Sequence, residues 1–193
     1  MVWFGADPGG KKNFGAAILR DDGSYSTKCV DCADDALACI SDRPEGIGID
    51  CPLWWSSGRS GDRLADSWLR LKGVPSGTVQ TANSLRGGAI IQGAMFAYRV
   101  RERYSGVPIT EAHPKALLRL MGLRASPWAV IAAKFDLVGT KPPSDHECDA
   151  VLAAVAARNG ITGLWSRDLS VHRHPSELDP KQMWFSSVNY FWP

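Results

Sequence analysis

The sequence contains no uninterrupted apolar run of about 18 residues, the length a membrane-spanning helix needs. Its longest nearly apolar stretch, Ala89 to Val100, is broken by Gln92 and Arg99 and followed by Arg101-Glu102-Arg103. Charge of either sign is not in surplus. Lys and Arg number 22 against 20 Asp and Glu, a net of +2, so no global field points to nucleic acid or a membrane, and a nucleic-acid role requires a local basic patch. Cysteines do not form a framework: Cys29, Cys32, Cys39, Cys51 and Cys148 are odd in number and scattered, as expected of reduced thiols in a cytosolic core. The C-x-x-C of Cys29 and Cys32 has no second C-x-x-C or H-x-x-H, and the alternate spacing of His172 and His174 matches a zinc site poorly, which favours structural cysteine. The opening MVWFGADPGG reaches an acid and a Pro-Gly-Gly turn too early for a signal-peptide core. Repeats and low-complexity segments are also lacking. A soluble cytoplasmic protein is expected, with no membrane partner.

What is present is ordinary globular composition, 45% hydrophobic and 22% charged over 193 residues, enough for one substantial core. Val2–Asp7, Phe14–Leu19 and Tyr25–Val30 read as three strands of an antiparallel meander, with turns at Asp7-Pro8-Gly9-Gly10 and Gly23. A helix over Ala33–Ser41 and a buried-type strand over Gly46–Asp50 then change the pattern to βαβ. Such a unit makes a right-handed crossover and places the fourth strand parallel in the same sheet, where it can lie beside the first. Residues 56–63, SSGRSGDR, form a Gly/Ser-rich loop before a short helix over Arg63–Leu71. Asn83 or Ser84 is placed to cap a long helix to about Tyr104, in which Gly87, Gly88 and Gly93 are costly unless a neighbour comes close. Val107–Glu111 reads as a fifth strand, Lys115–Met121 and Pro127–Leu137 as short helices, and Asp145–Arg158 as a helix capped by Ser144 and ended by Gly160. The expectation is one α/β domain over residues 1–193. Its sheet has five mixed strands, three antiparallel followed by parallel ones, flanked by helices. Residues 161–193 are an aromatic extension packed on the body.

Asp7 and Asp50 each close an apolar strand at its C-terminal end, the edge at which open α/β sheets bind ligands. At 3.6 residues per turn the last helix places Asp145, Cys148, Asp149, Leu152, Ala153 and Ala156 in one arc, so Asp149 lies on the inward stripe. Buried carboxylates gathered together need a compensating cation. Hard oxygen ligands without a His/Cys set favour Mg2+ or Mn2+, and acids so grouped suit two ions about 4 Å apart, an arrangement used in phosphodiester hydrolysis. Plainer readings exist for individual residues. Asp7 suits a turn, Asp145 suits a helix dipole, and Glu111, at the end of the fifth strand, is a ligand, an anchor for His113 or an edge residue.

Four segments, GADPGGKKNFGAAIL, IGIDCPLWW, ITEAHP and DHECDAVLAAVAA, together resemble a bacterial and archaeal family of unknown function predicted to be RNase-H-like nucleases. The resemblance spans residues 2–158. The first and last segments are also similar to those of Holliday-junction resolvases, where an Asp-Pro-Gly opens strand one and an Asp-Ala pair sits on the final helix. The resemblance implies an RNase-H-like fold, nuclease activity on DNA or RNA, and metal ligands at Asp7, Asp50 and Asp149. Asp145 or His146 is implied as a fourth participant, and Glu111 matches an acid of the family's E-x-x-P segment. In the resolvases the two acids of the last helix are three residues apart, whereas here position 146 is His and the extra acid, Asp145, lies four back.

Lys11, Lys12, Arg59, Arg63 and Arg86 are candidates for holding phosphates, with Arg86 favoured because it opens a Gly-rich helix. Trp54 and Trp55 are candidates for base stacking, although tryptophans after a buried strand more often fill a core or the subunit interface of a homodimer. Two rival functions stand beside the nuclease. One is a non-catalytic module that keeps the fold and uses the cluster for binding. The other is a nucleotide-binding protein of actin or sugar-kinase type, disfavoured because 193 residues hold no second phosphate loop.

Overall fold

Two short apolar runs and one alternating segment fill the first thirty residues, and there the chain forms β1 (Val2–Asp7), β2 (Phe14–Arg20) and β3 (Tyr25–Val30), paired antiparallel in sequence order. The computed structural model describes residues 1–193. Helix α1 (Ala33–Ala38) crosses over to β4 (Gly46–Ile49), which runs parallel to β1 with Ala6 opposite Ile49. α1 stops short of Ser41 because the N–H groups of Cys39 and Ile40 turn to the carbonyls of Ala36 and Leu37, three residues back, which tightens and closes the last turn.

Next come α2 (Leu64–Leu71), α3 (Gly87–Arg103) and β5 (Ile109–Glu111), then α4 (Pro114–Leu120), α5 (Trp128–Lys134) and α6 (Asp145–Ile161). α3 begins at Gly87, not at the Asn83 or Ser84 expected, because the N–H groups of Ser84 and Leu85 are spent on an isolated turn at the Thr81 carbonyl. Of its three glycines only Gly93 meets a close neighbour: a Cβ there would lie 2.6 Å from Cys51 Sγ.

Three short strands end the chain: β6 (Arg167–Asp168), β7 (Val188–Asn189) and β8 (Phe191–Trp192). β6 and β8 form a separate ribbon, whereas β7 pairs parallel with β5 and enlarges the main sheet to six strands in the order β3-β2-β1-β4-β5-β7. The expectation of five strands is thus corrected. A two-residue strand has no periodicity to read; it exists only through its pairing of Val188 with Ile109 and Asn189 with Thr110. Phe185, Val188, Tyr190 and Trp192 are buried in the same core as β1 and α6.

α6 rests on the sheet unusually closely. A Cβ on Gly5, Gly15 or Gly48 would fall 1.8, 2.1 or 1.9 Å from the carbonyl oxygens of Ala150, His146 and Ala153. One glycine on each of β1, β2 and β4, facing an alanine-rich helix, removes the side-chain layer that normally separates helix from sheet. α6 also continues through Gly160 to Ile161, because Gly160 admits Phe191, whose Cδ2 would be 2.1 Å from a Cβ there. Gly163, at φ +81, supplies the turn that follows the helix.

Candidate functional site

Asp7 ends β1 and Asp50 follows β4. Because those strands are parallel neighbours, with Asp50 N–H donating to the Ala6 carbonyl at 2.8 Å, both acids emerge at one sheet edge. The close seat of α6 brings Asp149 to the same place. All three line a cleft of about 790 Å³ that also includes His113, Lys115 and Asp145. They are recessed: their side chains are 12, 16 and 7% exposed.

Each carboxylate meets a different basic side chain. His146 Nδ1 lies 2.6 Å from Asp7 Oδ2, His113 Nδ1 lies 3.2 Å from Asp50 Oδ1, and Lys115 Nζ lies 3.2 Å from Asp149 Oδ2. The last contact is an ion pair, and the buried Asp149 Oδ2 has no other donor. Burial pushes the Asp149 carboxyl up to about 7, with the Asp50 charge adding to the effect and Lys115 opposing it. Burial likewise pushes Asp7 up to about 6 against the His146 hydrogen bond. His146 is raised in turn, chiefly by its bond to Asp7, and Lys115 chiefly by the Asp149 charge. No three His, Cys, Asp or Glu side chains stand together in a metal-ready arrangement; the chain's own cations engage the acids separately. Asp7, Asp50 and Asp149 are the oxygen donors that could hold a hard divalent ion here: they line one cleft, and burial together with the Asp50 charge raises both Asp7 and Asp149.

Behind the acids runs a buried charge network. Arg63 grips Glu111 with two hydrogen bonds, Nη1 to Oε2 at 2.7 Å and Nη2 to Oε1 at 2.6 Å, and grips Asp66 from its other edge at 3.0 and 2.9 Å. Glu111 also accepts from Leu53 N–H at 2.9 Å and contacts His113 Nε2 at 3.0 Å. Both its oxygens are thus doubly engaged. Burial opposes its charge, but Arg63 outweighs burial and lowers the Glu111 pKa to about 2. Burial similarly opposes a charge on His113, yet the bonds to Asp50 and Glu111 prevail and raise it to about 9. His113 is therefore an imidazolium at neutral pH, donating from both nitrogens and fixing the Asp50 carboxylate.

These contacts correct several sequence expectations. Glu111 is an anchor for Arg63 and His113 with no lone pair left for a metal. Arg63 does not meet phosphate, since it is 1% exposed, its guanidinium stacked 4.1 Å from the Trp54 ring centroid. Trp54 is core, its Nε1–H donated to Glu177 at 3.1 Å. Trp55 is at the surface against Trp184. Lys11, Lys12, Arg59 and Arg86 are exposed, but none of them lines the cleft. Cys29 hydrogen-bonds Ser144 and belongs to no metal group.

The basic residues that do line the cleft are Lys115, Arg124 and Lys141, with Trp128 beside them. Sequence reasoning passed over all four. They stand on short helices and loops outside the strand ends and the last helix that carry the acids, and Lys115 alone, two residues after His113, gave a usable hint.

No protein-family model matches the chain, and neither a curated protein nor a solved structure matches it.

Proposed function

We propose that this protein is a divalent-metal-dependent hydrolase of phosphodiester bonds in DNA or RNA, built on an RNase-H-like fold. The observation that carries the reading is the convergence of Asp7, Asp50 and Asp149 in one recessed cleft, with Asp149 Oδ2 buried and met only by the largely exposed Lys115 ammonium. Support for the fold comes from the first five strands, which run antiparallel and then parallel in the order β3-β2-β1-β4-β5 with α6 laid across them.

In this reading Asp7, Asp50 and Asp149 hold Mg2+ or Mn2+, and Asp145, at the exposed start of α6, faces the same cleft. A bound divalent cation supplies an activated water and charge stabilisation at the phosphate. The chain's own groups do the rest. His113, held by Glu111, keeps the Asp50 carboxylate in one orientation. His146, whose side chain is 41% exposed and whose Nδ1 faces Asp7, is placed to accept or return a proton at the mouth of the cleft. Lys115 offers an ammonium to a phosphate oxygen beside the acids.

A second reading, a non-catalytic RNase-H-like binding module, is favoured by the pairing of every carboxylate with a cation of the chain and by the absence of a metal-ready group of His, Cys, Asp and Glu. Thermal melts with Mn2+ and a nuclease assay separate the two. Manganese is expected to raise the melting temperature of the wild type but not of Asp50→Asn, and to support cleavage of at least one among single strand, duplex, junction and hybrid. Stabilisation without cleavage leaves the binding module standing; an equal metal response in Asp50→Asn removes the metal site.

A further inference from the structure

We infer that the cleft takes an unpaired nucleic-acid strand or strand end, with one base against Trp128 and the neighbouring phosphates on Arg124 and Lys141. This rests on the reading of the acids as a phosphodiester site and goes beyond it to the form of the substrate. The acids occupy only part of the cleft. The remainder is walled by Thr78, Gln80 and Leu85, by Leu118 and Ile131, and by Trp128. Its cations are of two kinds. Lys115 pairs with Asp149 beside the acids, whereas Arg124 and Lys141 are exposed and have no ion pair or side-chain hydrogen bond. The shape calls for a ligand that is polyanionic at one edge and has a flat apolar face at another.

Trp128 is fixed for such contact. It opens α5, its Nε1–H donates to the Tyr25 hydroxyl at 3.0 Å, and the two rings meet edge-on at a centroid distance of 6.2 Å. Held on that side, the half-buried indole turns surface to the cleft without needing to be ordered on binding. Aromatic platforms flanked by loose cations are the usual means of holding single strands, whose bases present a free π-face. A base-paired duplex hides those faces. It would also have to deliver a phosphate to carboxylates that are 7 to 16% exposed at the base of the cleft.

The test is fluorescence anisotropy with an end-labelled DNA strand of about eight nucleotides, its blunt duplex and the matching RNA strand, in EDTA so that binding is read apart from cleavage. The single strand is expected to bind more tightly than the duplex. Trp128→Ala should weaken it roughly tenfold, and Trp128→Phe should restore most of the loss. Arg124→Ala and Lys141→Ala should each reduce the slope of log affinity against log salt by about 0.7. Equal binding of strand and duplex, or unchanged affinity and slope in both cation variants, overturns the inference. If Trp128→Ala does not fold, the two exposed cations decide the matter alone. A strand that binds in this way but is never cut with Mn2+ refutes the hydrolase reading and leaves the strand site. Cleavage with KM unchanged in all three alanine variants does the reverse.

Discussion

Asp149→Asn is expected to make the metal-free protein more stable at pH 8. The Asp149 carboxyl is 7% exposed and raised from 3.8 to about 7. A carboxyl whose folded pKa lies above its unfolded value binds its proton more tightly in the native state, so stability falls as pH climbs from about 4 through 7. A shift of about three units at 1.36 kcal/mol each sets a ceiling of roughly 4 kcal/mol on what charging this group costs at pH 8. Two losses offset the gain. Lys115 is 66% exposed, so surrendering its pair costs about 0–1 kcal/mol, and the new amide must find an acceptor or forfeit about 1–3 kcal/mol. The net gain is about 1–2 kcal/mol, a rise of roughly 2–8 °C in melting temperature for a chain of this size. At pH 5, where the wild-type carboxyl is largely protonated, most of the difference should vanish. Melting curves followed by circular dichroism in EDTA at the two pH values are sufficient. A variant that melts below wild type at pH 8, or that gains equally at pH 5, refutes the account of Asp149 as a strained buried charge.

Other expectations follow from the same contacts. Glu111→Gln leaves Arg63, 1% exposed, with Asp66 as its one remaining anionic partner; it should cost about 3 kcal/mol in urea unfolding and let the His113 pKa fall from about 9 toward 6.5, visible by NMR. An unmoved titration would show that Glu111 does not hold the imidazolium. For the wild type without metal, Asp7 and Asp149 are raised and so lose stability as pH rises above about 4. The raised His113 contributes stability fully below 6.5 and loses it through about 9. All three act in one direction, so a urea midpoint that climbs between pH 5 and 9 contradicts them. Gly48→Ala and Gly88→Ala form a matched pair. The first drives a Cβ to 1.9 Å from the Ala153 carbonyl oxygen and should cost about 3 kcal/mol or more. The second meets nothing within 4 Å and should gain about 0.5–1 kcal/mol from helix propensity. Comparable melting temperatures for the two would show that α6 does not need the bare sheet.

Some of this architecture is legible in the sequence. The meander β1–β3 follows from short apolar or alternating runs punctuated by glycine turns, because run length, strand period and turn chemistry are local properties of the chain. The ends of α1, α3 and α6 are not, since each depends on where a particular N–H or glycine finds its partner. Arg63 is the clearest misreading. In a Gly/Ser-rich loop beside Asp62 it resembles a surface cation, and only the folded chain shows Glu111, 48 residues later, closing over it.

What the sequence determined by itself is local. It set an acid at the end of each of two apolar strands, a third acid on the inward face of a capped helix, and a basic, aromatic remainder without obvious role. The tertiary structure decided which groups meet. It paired Asp7 with His146, Asp50 with His113 and Asp149 with Lys115, withdrew Glu111 and Arg63 into the core, and brought Arg124, Trp128 and Lys141 to the cleft in place of Lys11, Arg59 and Arg86. The reason is physical: the spacing of residues along one helix or strand follows from the period of its backbone, but contacts between elements depend on how closely they pack. Here that closeness came from three glycines whose missing side chains allow α6 to lie against the sheet.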